Sequence, residues 1–201
     1  MSQTSFPLNA TDLDNASTFV LTIEPVPDND PAPSDVHILA GDFSSNNANL
    51  TVGHGAALAD DFTSAAGKYI LATPTDGPMT NENSGIWFLD LSTGAPTVGL
   101  DLPMLPDGWK YEGWVVIDGK PVTSGTFTNI KATDDADPFS GSMALPDVNG
   151  TDGFFPGEDY LMNAPSGLSF PTDLAGGTAV ISVEPYPDNS PMPFTLKPLV
   201  H

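Results

Sequence analysis

The sequence predicts an all-β protein, an antiparallel β-sandwich with a duplicated Glu-Pro strand-turn-strand element. Three observations predict it: a 15-residue stretch that occurs twice, a composition rich in turn formers, and one hairpin signal. Residues 19–33 read Phe-Val-Leu-Thr-Ile-Glu-Pro-Val-Pro-Asp-Asn-Asp-Pro-Ala-Pro and residues 179–193 read Ala-Val-Ile-Ser-Val-Glu-Pro-Tyr-Pro-Asp-Asn-Ser-Pro-Met-Pro, in register and 160 positions apart. The 201 residues include 21 prolines and 19 glycines, with only 15% charged, which suits many short strands joined by turns. The third signal is Asp118-Gly119 between two apolar runs, the pair that a two-residue hairpin turn with positive φ at both positions prefers.

Each copy of the repeat alternates like a half-buried strand. Phe19, Leu21 and Ile23 share one face against Thr22 and Glu24, and Ala179, Ile181 and Val183 share one against Ser182 and Glu184. Pro25, Pro27, Pro31 and Pro33 then fix φ and remove backbone donors, so the acidic connection that follows stays out of a central sheet. A second strand follows in each copy, at 36–41 and 194–200.

The charge excludes several function classes. Twenty-six acidic residues, 21 of them Asp, face five lysines and no arginine, for a net charge of −21. Such a surface repels phosphate backbones and anionic lipid heads, so no nucleic-acid partner is expected, and it attracts small cations. Asp favours turns, which places the charge in loops. There is no cysteine, hence no disulfide framework and no thiolate chemistry. No run approaches 18 apolar residues, so no membrane span is expected in this chain. The opening residues, with Phe6-Pro7-Leu8 close behind Met1, read as a mature or excised segment.

In chain order, residues 1–17 are polar and carry Asn-x-Ser/Thr acceptor patterns at Asn9 and Asn15, with another at Asn49. A short strand is expected over 49–54, and one or two helical turns at most over 55–66. The apolar runs 68–73 and 86–91 read as a long-looped hairpin of central strands. A short strand over 98–102 leads into the Asp118-Gly119 hairpin, Tyr111 to Ile117 and Lys120 to Thr128.

That hairpin carries a family resemblance. Leu105-Pro-Asp-Gly-Trp-Lys-Tyr-Glu-Gly-Trp114 and Gly119-Lys-Pro-Val-Thr-Ser-Gly-Thr-Phe127, with the Val183-Glu-Pro185 ending, resemble the extracytoplasmic C-terminal domain of anti-sigma-K-type factors. The resemblance implies a β-sandwich working outside the cytoplasm, extracellular, at the cell surface or periplasmic. Residues 1–201 then form a single domain. Residues 68–201 are a complete unit enlarged near 129–175, and 1–67 are the tail of a preceding repeat unit, packed on it or donated to a neighbour. The cytoplasmic sigma-binding part and the membrane helix of that family have no counterpart here, so sigma binding does not carry over.

The enlarged segment concentrates acid. Asp134, Asp135 and Asp137 are followed by Asp147, Asn149, Asp152 and Glu158, spaced oxygen donors that suit calcium. Asp147, Asn149, Thr151 and Glu158 take relative positions 1, 3, 5 and 12 of a calcium loop, but position 6 is Asp152 rather than Gly, and Pro146 and Pro156 preclude flanking helices. A loop that merely solvates its charge fits the same residues. The Asp28-Asn29-Asp30 and Asp188-Asn189 turns form a second, weaker candidate.

Catalytic chemistry is thin. His37 lies in an alternating strand, His54 stands between glycines and His201 is last, so no pair has metal-ligand spacing. No Gly-x-Ser-x-Gly elbow and no arginine clamp is present, and Glu158-Asp159 is not distinguished from other acidic loops as a glycosidase dyad. Trp87, Trp109, Trp114, Tyr111 and Tyr186 fit either a carbohydrate-stacking face or core packing. The expectation is therefore a non-catalytic extracellular or cell-surface structural module that self-assembles through N-terminal strand addition and calcium. The alternative is the sensory or ligand-binding domain of an anti-sigma-type regulator, its small-molecule or glycan ligand unnamed.

Overall fold

A computed structural model of the chain describes residues 11, 13–45, 47–77, 80–144, 154–188 and 190–201. It is all-β, with fourteen strands in the described residues and every pairing antiparallel. The chain forms two compact units, residues 1–61 with 106–108, and residues 62–105 with 109–201.

In the first unit, β1 (Thr18–Thr22), β2 (His37–Ser44) and β3 (Asn47–Ala48) form a sheet in the order β1-β2-β3. The strand expected over 49–54 is reduced to a bridge between Thr51 and Ala40. The helical turns expected from residue 55 are replaced by irregular turns, closed by bonds such as Ala57 N–H to the His54 carbonyl at 2.8 Å. Ala59 takes φ 62°, which ends any helical path.

The second unit holds the main core. Its four-stranded sheet runs β11 (Lys120–Phe127), β10 (Trp109–Ile117), β13 (Thr178–Pro185), β14 (Leu199–Val200). A three-stranded sheet runs β12 (Gly157–Asp159), β6 (Gly85–Trp87), β5 (Ile70–Leu71). Two small pairs join β4 (Ala66–Gly67) to β9 (Leu100–Asp101) and β7 (Leu89–Asp90) to β8 (Thr97–Val98).

The β10–β11 hairpin forms as its sequence dictates: Asp118 and Gly119 take φ 50° and 76°, and Ile117 pairs with Lys120. The expected 68–73 and 86–91 hairpin also forms, with Ile70 opposite Trp87 and Leu71 opposite Ile86. Its β5 arm is an edge rather than a central strand. Gly113, in the middle of β10, leaves room for Ser124 of β11 and for the Phe88 ring between β6 and β7. A Cβ there would collide with the Ser124 hydroxyl and reach a Phe88 ring carbon at 2.8 Å.

The four-stranded sheet is buried on both faces. Tyr111, Ile181 and Val183 fill one, while Trp114, Ser182 and Glu184 lie buried on the other. Trp87, Trp109, Trp114 and Tyr111 are all buried, so these four rings pack and do not form a sugar-stacking surface. Of the five aromatics considered, Tyr186 alone is exposed, and its ring carries the Lys110 ammonium 4.0 Å from its centroid.

Candidate functional site

The two copies of the repeat share a set of hydrogen bonds at equivalent positions. Glu24 accepts a bond from the Thr22 hydroxyl and another from Ser34 N–H at 3.1 Å. Glu184 accepts from the Ser182 hydroxyl and from Phe194 N–H at 2.8 Å. Asp28 and Asp188 each accept from the backbone N–H two residues on, at 3.0 and 2.9 Å, an Asx-type turn. The strand registers match as well. Val20↔Ala40 and Leu21↔Leu39 in the first copy become Val180↔Val200 and Ile181↔Leu199 in the second. Ile23 N–H bonds the Val36 carbonyl, and Val183 N–H the Leu196 carbonyl, both at 2.9 Å.

The copies differ in what flanks them. β13 lies between β10 and β14, pairing Ile181 with Gly113 and Ser182 with Glu112 across its second edge. Among the described residues, β1 pairs with β2 alone. Ala40 gives both its N–H and its carbonyl to Thr51, at 3.2 and 2.9 Å, so Val20↔Ala40 is a non-hydrogen-bonded pair. The backbone N–H and carbonyl of Val20 therefore point away from β2. On the face of β1, Phe19 and Leu21 are 42% and 44% exposed, where their counterparts Ala179 and Ile181 are 8% and 2% exposed.

The pairing of β13 with β10 also assembles acid. Lys110↔Glu184 and Glu112↔Ser182 put Glu112 and Glu184 on one sheet face, and Asp188 completes a group whose carboxylate oxygens lie within 4.8 Å of one another. Burial pushes Glu112 up to about 7, with the charges of Glu184 and Asp188 adding to the effect of burial against a bond from Thr123. Burial likewise raises Glu184, which stands at the end of a relay from Trp114 Nε1 to Ser182 Oγ at 2.8 Å and on to its own carboxylate. An oxygen-only donor set suits a hard divalent cation. Sequence reasoning singled out Asp188 through its turn but not Glu112 or Glu184. The signal for those two lies in a pairing between strands some 70 residues apart.

The acids expected to bind calcium take other places. Asp134 accepts a bond from Gly157 N–H at 2.9 Å, and burial raises its carboxyl to about 7 against that bond. Glu158 is wholly buried and bonded to the Ser140 hydroxyl and, at 3.3 Å, to Phe139 N–H. Burial lifts it to about 8, with Asp134 and Asp159 adding repulsion. Asp135 binds Lys110 Nζ and the Thr126 hydroxyl, both at 2.7 Å; burial pushes it up, but these bonds leave it below its ordinary range. Asp137 contributes its charge to Asp134. Asp147, Asn149 and Asp152 lie outside the described residues. Asp159 is buried and raised by that burial; it accepts from Thr75 N–H at 2.8 Å, Thr75 Oγ1 at 2.5 Å and Trp87 Nε1 at 3.1 Å, tying three segments together.

Each histidine has a hydrogen-bond partner. His54 Nδ1 accepts from Ala56 N–H at 3.1 Å, and His37 Nδ1 meets the Ala56 carbonyl at 3.0 Å. His201 Nδ1 lies 2.8 Å from the Tyr69 hydroxyl. That last pair sits in a cleft of about 590 Å³ lined by Tyr69, Phe88, Leu100, Ile181 and Leu199, large enough for a small ligand and mostly apolar. No protein-family model, curated protein or solved structure matches this chain.

Proposed function

We propose that this protein is a non-catalytic structural module that associates with others through strand β1, outside the cytoplasm as the anti-sigma-type resemblance implies. One observation carries the reading. β1 repeats the hydrogen bonds and register of β13, yet it exposes Phe19 and Leu21 and, among the described residues, pairs on one side alone. An unpaired edge with apolar side chains is a template for another strand. Bound calcium or a similar hard cation would offset part of the charge of −21, and the Glu112, Glu184 and Asp188 carboxylates are the donors the geometry favours for it.

Light-scattering mass on a sizing column tests this, with calcium and with chelator. Association gives a concentration-dependent mass above 21.0 kDa, and Leu21→Lys restores the single-chain value. A wild type that stays at 21.0 kDa in both buffers and at millimolar concentration removes the reading.

The cleft at Tyr69 and His201 favours a second reading, a ligand-binding module. Titration with an apolar fluorescent probe tests it: saturable binding that Ile181→Trp abolishes supports the cleft, and binding that is unchanged by that substitution removes it.

A further inference from the structure

We infer that two copies of this chain pair through β1, antiparallel, about a two-fold axis at Val20. The inference rests on the self-association reading and names its partner, a second copy, and its geometry.

The backbone sets the axis. Backbone polar groups alternate sides along a strand, so with Val20 directed outward, Thr18 and Thr22 also present their N–H and carbonyl groups to the edge away from β2, which is unpaired among the described residues, while Phe19 and Leu21 spend theirs on β2. An antiparallel partner centred on Val20 then meets Val20 of the second copy as a hydrogen-bonded pair. Thr18 falls opposite Thr22 of the second copy, and Phe19 opposite Leu21 of the second copy. The strand is self-complementary about this point. All three outward residues meet a residue of their own kind, and Phe19 and Leu21 meet each other.

The side chains agree with that register. Phe19 and Leu21 lie on one face and are each more than two-fifths exposed; pairing brings two aromatic–aliphatic contacts into one strip. No charged residue lies within Thr18–Thr22, so the strands meet without formal charge although each copy carries −21. Nor does β1 carry the lysine or proline that protects many edge strands. Its irregularity, between Leu21 and Thr22, lies in the pairing with β2. Repulsion between two such acidic copies is long-ranged and screened by salt, so pairing tightens as ionic strength rises.

The chain has no cysteine, which makes Val20→Cys a clean probe. The Cα separation of a hydrogen-bonded antiparallel pair, about 5.5 Å, falls within the range a disulfide spans. Under mild oxidation at high salt, Val20→Cys is expected to give a covalent dimer of twice 21.0 kDa, lost when Leu21→Lys is added. Ser44→Cys, exposed at the far end of β2, is expected to stay unlinked. Hydrogen exchange on the wild type gives an independent reading: protection of the Val20 amide rises with concentration, while that of Leu21 does not change. A wild type that associates while the Val20→Cys variant stays unlinked and the Val20 amide stays unprotected overturns the two-fold pairing and leaves association through another surface. A wild type that stays monomeric removes both this inference and the reading on which it rests.

Discussion

Glu24 and Glu184 accept the same two hydrogen bonds, from a hydroxyl two residues back and a backbone N–H ten residues on, yet their acidities move in opposite directions. The Thr22 hydroxyl, followed by Ser34, holds Glu24 below its ordinary range. Burial raises Glu184 despite the bonds from Ser182 and Phe194. The bonds are shared, so the surroundings decide: a carboxylate loses hydration when buried and is then easier to protonate.

Substitution separates the two. Glu184→Gln keeps an acceptor for Ser182 and Phe194 and removes a buried charge, so it is expected to leave the urea midpoint at pH 8 unchanged or higher. Glu184→Ala strands both donors and is expected to cost about 1–3 kcal/mol. Glu24→Gln is expected to lower the midpoint at pH 7, with a difference that shrinks as pH falls through the lowered folded value of the Glu24 carboxyl. A drop in midpoint for Glu184→Gln at pH 8 as large as for Glu184→Ala would contradict the account.

Stability is expected to fall as pH rises through neutrality. Glu158, Asp134 and Glu112 have folded-state values raised to about 8, 7 and 7. The native state therefore holds protons between about 4 and 8 that the unfolded chain has released, and the slope of stability with pH is negative there. The contribution is complete below the unfolded values and is lost as pH climbs past the folded ones. Urea midpoints at pH 5.5 and 8.5 check the sign, and Glu158→Gln is expected to flatten the curve. Below about pH 4 the slope reverses, because the unfolded chain takes up a proton at Asp90 that the folded carboxyl, held near 2 by Lys68 and Ser92, does not.

Gly113→Ala tests the packing of Phe88 against β10. Its Cβ meets Ser124 and Phe88, so the variant is expected to lose about 1–3 kcal/mol, the usual cost of overpacking. Gly55→Ala, with open space around the new methyl, is expected to change stability by less than about 0.5 kcal/mol. Denaturant unfolding of the pair gives the comparison.

Gly119→Val tests the hairpin turn. A β-branched residue at φ 76° is strained by about 1–2 kcal/mol, and the turn is local to β10 and β11. The variant is expected to unfold at lower urea with its native mass unchanged; equal stability would mean that the turn does not need positive φ at this position.

What was legible in the sequence was local or repeated. Asp118-Gly119 names its own turn, and Glu24 and Glu184 announce one geometry twice. The short strands were harder to read. The second strand expected over 194–200 shrinks to Leu199–Val200, with Pro198, which lacks a backbone donor, directly before it. The expected strand over 86–91 breaks at Phe88, whose N–H bonds the Pro156 carbonyl at 3.0 Å while β6 and β7 pair with different neighbours. Glu112 and Glu184 could not be placed together from spacing, since β10 meets β13 only through tertiary pairing. Alternation along β10 did put Glu112 on the face of Trp114, and a carboxylate sharing a face with a buried tryptophan was the available clue.

The outward backbone of Val20 also limits size. A contact in which a surface meets itself is spent once it forms, so the proposed pairing through β1 would join two molecules and then stop. Growth into a fibre or lattice would need a second, different patch, and a mutation that merely strengthened β1 would yield tighter pairs without longer polymers.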